Sequence, residues 1–152
     1  MKVNNSNENA YYGIDGVKSE GFEFEADGEI NDNWSINFGI ANFEAKSQGK
    51  KVNTKNSRTT SNLFIKYEKD KWKAGTGLSY KSKFYDGTGV NYIAQDEIVL
   101  VNAMLGYEID KNIGIQANIE NIFDKKYYEG IGSNSMNYGN PRKATLTLRY
   151  SF

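Results

Sequence analysis

Five tyrosines, Tyr85, Tyr92, Tyr127, Tyr128 and Tyr138, stand in polar stretches of the sequence. A phenol ring held there offers an amphipathic face to an aromatic ligand. The competing reading is ring packing within loops or at a membrane interface, and residue type alone leaves both open. A second group, Glu23, Glu25, Asp27 and Glu29, sets a carboxylate at every other position. Such a row binds a cation, or it lines a water-filled channel. The chain has 0 His and 0 Cys, so Ser-His-Asp triads, zinc-thiolate and zinc hydrolase sites, thiolate nucleophiles and disulfides cannot be built. Asp86-Gly87-Thr88-Gly89 and Gly75-Thr76-Gly77 are glycine-rich, but no helical pattern follows either, so neither reads as a phosphate cradle. No catalytic residue, metal site or cofactor is expected. The 19 basic and 19 acidic side chains cancel, which argues against nucleic acid as a partner.

The elements that carry these residues show one period. Apolar and polar residues alternate in seven runs, the pattern of strands with two unlike faces. The runs are residues 21–30, 34–43, 59–68, 72–81, 97–109, 113–121 and 143–152. In the last, Ala144, Leu146, Leu148, Tyr150 and Phe152 oppose Lys143, Thr145, Thr147, Arg149 and Ser151. Phe64 breaks the pattern in the third run, and Ile98, Leu100 and Met104 make the polar face of the fifth run mixed. Helical spacing fits none of them as well. The fold class expected is all-β, an antiparallel up-and-down meander of seven strands, with an eighth if residues 9–18 hold the end of one.

Connections alternate in length. Short links lie at 31–33, 70–71 and 110–112, rich in Asn and Asp; long ones occupy roughly 44–58, 82–96 and 122–142. The polar tract Ser47 to Ser57 reads as a mobile external loop. Strict short-long parity is the habit of a transmembrane barrel, whose turns are brief on one side and extended on the other. Runs of about ten residues also suit a tilted strand crossing hydrocarbon. Seven amphipathic strands can equally build a water-soluble antiparallel binding module. Aromatics at run ends, Trp34, Tyr67, Trp72, Tyr80, Tyr107 and Tyr150, favour the membrane, where they form an interfacial belt.

The carboxyl-terminal third carries a more specific pattern. Asn121-Ile122-Phe123-Asp124-Lys125-Lys126-Tyr127-Tyr128, then Tyr138-Gly139-Asn140-Pro141-Arg142, then Leu146-Thr147-Leu148-Arg149-Tyr150-Ser151-Phe152, resembles the end of TonB-dependent outer-membrane receptors. Those read N-L-F-D-K-x-Y, G-x-P-R and alternating apolar residues to a final Phe; Ile122 replaces the usual Leu. Val17 to Ala26 and Tyr80 to Asp86 are similar to other strands of the family, and the siderophore-receptor branch resembles the chain most.

The resemblance implies a barrel of about 22 strands with an amino-terminal plug, located in the outer membrane and importing a ferric siderophore. Residues 19–152 are then carboxyl-terminal wall strands and external loops, and residues 1–18 a loop or the remnant of a preceding strand. Asn121, Phe123, Asp124, Tyr127, Gly139, Pro141 and Arg142 are the family's motif residues, with a structural role. Tyr150 and Phe152 resemble the signal read by the outer-membrane assembly machinery. Partners implied are the lipid bilayer, the siderophore and, through a plug outside this stretch, TonB. With room for seven strands and no plug, the chain is expected to be a portion of such a receptor; a complete eight-stranded barrel with a structural or adhesive role is the alternative.

Overall fold

The structure is a computed structural model; it describes residues 2–3, 11–12, 16–132 and 135–152. Seven long strands form one antiparallel meander: β1 (Val17–Asn31), β2 (Trp34–Ser47), β3 (Thr59–Lys69), β4 (Trp72–Lys81), β5 (Ile98–Glu108), β6 (Ile113–Glu120) and β7 (Lys143–Tyr150). Among the seven, each pairs only with its neighbours in sequence, so the sheet order equals the chain order. The only helical element among the described residues is a single 3₁₀ turn at Gly89–Asn91. All seven alternating runs are strands, and β7 stops at Tyr150, leaving Phe152 beyond it. Of residues 9–18, Tyr11–Tyr12 pairs with Lys2–Val3 and Val17-Lys18 opens β1, while the others except Gly16 lie outside the described residues.

Asn and Asp in the short links act through their side chains. Asn31 Oδ1 accepts from the backbone N–H groups of Asn33 (3.0 Å) and Trp34 (3.1 Å), and Asp110 Oδ1 from those of Asn112 (2.8 Å) and Ile113 (3.0 Å). Both satisfy turn amides that the sheet leaves unpaired. Asp70 takes a positive φ of 52° in the tight β3–β4 turn.

The long links are more ordered than the sequence suggests. β2 runs to Ser47 and reverses at Gln48-Gly49, both with positive φ (48° and 75°), so that Lys50–Lys51 pairs back onto it. Two positive φ values in a two-residue loop are the type I′ geometry of hairpins. The start of the tract expected to be a mobile loop is therefore sheet. The second long link contains the hairpin Phe84–Asp86 with Ile93–Gln95, and the third the hairpin Tyr128–Gly132 with Ser135–Tyr138.

Cross-strand register sorts the side chains onto two faces. One row reads Phe38, Leu63, Leu78 and Val101 across β2 to β5. Another joins Leu105, Ala117 and Leu146 across β5 to β7. Among the described residues no second layer covers this face: Phe24, Leu105, Leu146 and Leu148 are more than half exposed. A soluble sandwich would bury them. At the short-turn end the same face carries two tilted aromatic pairs, Trp34 with Tyr67 (ring centroids 4.8 Å apart) and Trp72 with Tyr107 (4.6 Å).

The opposite face holds the acid row of β1, the amides Asn37, Asn62, Asn102, Gln116 and Asn118, and Gly39, Gly75, Gly77, Gly106 and Gly114. Phe64, the exception in the pattern, lies over a glycine pair: a Cβ on Gly75 would sit 2.7 Å from its ring and one on Gly77 3.3 Å. The two missing side chains make room for the ring. Near the short turns an ion-pair chain crosses this face. Lys66 meets Glu68 (2.8 Å), Glu68 meets Lys73 (3.6 Å), Lys73 meets Glu108 (3.3 Å), and Glu108 meets Arg149 (2.7 Å).

Candidate functional site

The polar-face exceptions on β5 locate the site. Ile98 and Leu100 sit at the long-link end, and the loop hairpins fold onto them. Phe84, Ile98, Tyr127 and Ile131 form a buried cluster, with Ile93, Leu100 and Tyr128 packed around it. Burying these side chains together is the main force holding the loops down. The first long link joins through polar contacts: Asn53 Nδ2 donates to the Tyr85 carbonyl (2.8 Å), Lys55 Nζ pairs with Asp86 (2.9 Å), and Ser57 Oγ donates to the Ser82 carbonyl (2.7 Å). The three long links thus cap one end of the sheet as a connected surface on its polar side.

Asn121 is the pin of the third link. It is buried, with φ 48°. Its Nδ2 donates to the carbonyls of Lys125 and Asn140, both at 3.0 Å, and its Oδ1 accepts from the Lys125 N–H at 2.9 Å. One side chain therefore clasps the outgoing and returning feet of the link. Its own N–H donates to Asn102 Oδ1 on β5 (2.8 Å). Asp124 adds a second clasp by accepting from the Arg142 N–H (2.9 Å). That bond, helped by the Lys126 ammonium, holds the Asp124 carboxyl below its ordinary range. Pro141 precedes the start of β7, where its missing N–H interrupts no ladder. Phe123 is largely exposed.

The five tyrosines fall into two pairs and one buried ring. Tyr85 stacks with Tyr92 at 5.5 Å and Tyr128 with Tyr138 at 4.9 Å. Tyr85, Tyr92 and Tyr138 are 40%, 49% and 75% exposed, whereas Tyr127 is 9% exposed in the cluster core. Burial raises the Tyr127 phenol above its usual range, the nearby Glu129 adding to it. The Tyr128 hydroxyl is likewise raised by its hydrogen bond with Tyr138. Gly139 completes the seat, because a Cβ there would fall 2.0 Å from the Tyr127 ring. Gly139→Ala is expected to lift the ring and cost about 1–3 kcal/mol by overpacking. Chemical denaturation measures this, and an unchanged midpoint would contradict the contact.

Sequence patterning did not single out Gln95 or Asn102 as loop anchors, although Gln95 Oε1 receives the Tyr128 N–H (2.8 Å). Nothing in the local sequence distinguishes these amides from those facing water. The apolar residues Ile98 and Leu100 on a polar face were the available signal for the cluster. Asp86-Gly87-Thr88-Gly89 is a loop turn: Asp86 Oδ1 accepts the Gly87 N–H (2.8 Å), and Gly87 has φ +76° with the Asn91 carbonyl where a Cβ would stand. Among the described residues no cluster of metal-ligating side chains is present.

Comparison with known proteins places this architecture. Residues 2–122 match the family described as TonB dependent receptor-like, beta-barrel. The ferric-pyoverdine 358 receptor of Pseudomonas putida is 30% identical over 146 residues, 91% of this chain and 18% of that receptor. The ferripyoverdine receptor of Pseudomonas aeruginosa is 30% identical over 155 residues, 94% of this chain and 19% of that receptor. The crystal structure of the latter receptor bound to ferripyoverdine superposes with a TM-score of 0.82 at 28% identity, over 90% of this chain and 20% of that one. The ferric-catecholate import receptor Fiu of Escherichia coli, at 23% identity and TM-score 0.74 over 88% of this chain and 21% of that one, shares the fold. The chain spans about a fifth of the length of the curated relatives it matches.

Proposed function

The chain belongs to the TonB-dependent receptor-like β-barrel family, and from that premise we propose that it supplies seven wall strands and three external loops to a receptor importing a ferric siderophore. The family is one of outer-membrane receptors, so the apolar face meets lipid and the polar face lines the lumen. The long links are external and the short turns periplasmic. The observation that carries the reading is the match, over 90% of this chain, to a receptor solved with ferripyoverdine bound. Pyoverdine-type chelates are accordingly the first ligand class to test.

In this reading the exposed rings of Tyr85, Tyr92 and Tyr138 contact the chelate above the lumen, while Tyr127 and Tyr128 shape the surface beneath them. Binding and passage require no bond-making step from these side chains, and the wall works without catalysis. Energy coupling belongs to a plug and TonB, neither of which the described strands contain. Tyr150 and Phe152, whose rings lie 6.3 Å apart, serve as the signal read by the assembly machinery. Among the described residues the outer edges of β1 and β7 have no partner strand, and in hydrocarbon they demand further strands: each unpaired backbone group there costs several kcal/mol.

The test is uptake of radiolabelled iron by iron-starved cells whose only siderophore receptor is the one carrying this wall. Ferric pyoverdine and a ferric catecholate are supplied separately. TonB-dependent uptake of one of them is expected; binding and uptake of neither would overturn the proposal.

A further inference from the structure

The lipid-facing side of β1 and β2 continues beyond the apolar band into a charged patch. Residues Phe24 and Ile40 face each other on that side, then Phe22 and Asn42, then Glu20 and Glu44, then Lys18 and Lys46. An apolar band about 25 Å tall, crossed by strands rising about 3.4 Å per residue at a tilt of about 40°, takes about ten residues. Counted up along β2 from Trp34, which pairs with Tyr67 of β3, the upper edge of the band falls near Glu44. The patch therefore stands at the level of the outer-leaflet headgroups.

Its composition is unequal. Lys18 and Lys46 both pair with Glu20, the latter at 3.0 Å. Lys51 (2.7 Å) and the Arg58 guanidinium (2.8 Å) both pair with Glu44. Four cations share two carboxylates, an excess of two positive charges. Lys51 reaches the patch because the Gln48-Gly49 turn folds it back beside Lys46. Solvent-exposed pairs contribute little to stability, so fold maintenance is a weak account of four cations on one outward face. At the opposite end of the same face the corresponding level is occupied by the rings of Trp34, Tyr67, Trp72 and Tyr107. Lys69, in register with Trp72, and Lys71, whose ammonium lies over the Tyr107 ring, stand among those rings, so what sets the loop end apart is the gathering of four cations around two carboxylates on neighbouring strands.

We propose that Lys18, Lys46, Lys51 and Arg58 form a binding site for the phosphate groups of a phosphorylated glycolipid in the outer leaflet. Glu20 and Glu44 hold the cations apart and in place, leaving the surplus charge for the headgroup. The site rests on the assignment of the apolar face to lipid, and it is independent of which siderophore the receptor carries.

The receptor containing this wall is purified and reconstituted in nanodiscs, and its binding of bis-phosphorylated lipid A, dephosphorylated lipid A and inorganic phosphate is compared. The phosphorylated lipid is expected to bind preferentially, with inorganic phosphate a poor competitor. Each cation near an anionic lipid surface contributes about fivefold, so Lys18→Gln/Lys46→Gln/Lys51→Gln is expected to weaken binding about a hundredfold. Lys66→Gln/Lys73→Gln on the polar face removes two cations and should leave binding unchanged, where two cations of the site would account for about twenty-five-fold. Heat-modifiable gel mobility reports that each variant is folded. Equal binding by wild type and triple variant, no preference for the phosphorylated lipid, or full competition by inorganic phosphate would each overturn the site. Loss of binding in the Lys66 and Lys73 variant instead would show that the faces are reversed, and no siderophore measurement enters either result.

Discussion

Leu78→Arg is expected to destabilise the assembled barrel by about 2–4 kcal/mol, the cost of a cation near the bilayer midplane on the lipid side. Leu78 sits on β4 between Leu63 and Val101, six positions above Trp72 and so near the middle of a crossing of about ten residues. Ser79, its neighbour in sequence, faces the lumen opposite Asn62 and Leu100. Ser79→Arg can extend its guanidinium into water and is expected to cost about 1 kcal/mol or less. Urea unfolding in lipid bilayers measures both. Equal costs at 78 and 79 would contradict the face assignment. On β7 a parallel comparison belongs at Leu146 rather than Leu148, because Leu148 is only two pairs above the last pair of the ladder, Tyr150–Ile113.

Asn121→Ala is expected to cost about 2–4 kcal/mol and to loosen the third external loop selectively. The substitution removes all three side-chain bonds of Asn121 and strands the Lys125 N–H and the Lys125 and Asn140 carbonyls, in a partly buried setting. A buried polar group left without a partner costs about 1–3 kcal/mol. Alanine also tolerates the positive φ less well than asparagine does. Hydrogen exchange should accelerate at amides from Lys125 to Arg142 while those pairing β3 with β4 stay protected. Unchanged exchange in the loop would remove Asn121 from its role as the clasp.

The wall was legible in the sequence because each strand carries its own evidence: a period of two is local, and the Asn and Asp turns between strands act through residues two or three positions away. The extension of β2 to Ser47 was less visible, since Glu44, Lys46 and Ser47 are polar on a strand that has left the membrane, and only Gln48-Gly49 marks the hairpin. The loop surface depends on partners far apart in the chain. Tyr128 meets Gln95 and Asn121 meets Asn102 and Asn140, and no local pattern announces such pairings. Phe64 shows how a departure from period becomes informative: the ring on the polar side and Gly75 and Gly77 on the next strand are two halves of one fit. The same holds for Ile98 and Leu100, whose apolar side chains on the lumen side are the floor of the loop cluster. The family motif named the Asn121 and Gly139 positions, and the geometry supplies their reasons, a clasp across the loop's feet and a space for the Tyr127 ring.

The orientation of the two faces underlies the whole account, and spin labels along β5 test it most directly. The stretch contains no cysteine, so single cysteines at Val99, Val101, Ala103 and Leu105, and at Asn102, Met104 and Gly106, add one label each within it. In bilayers the odd-numbered sites should be accessible to oxygen dissolved in the lipid and the even-numbered sites to a water-soluble nickel chelate, alternating residue by residue. A reversed alternation, or uniform access along the strand, would contradict the assignment of the apolar face to lipid and of the polar face to the lumen.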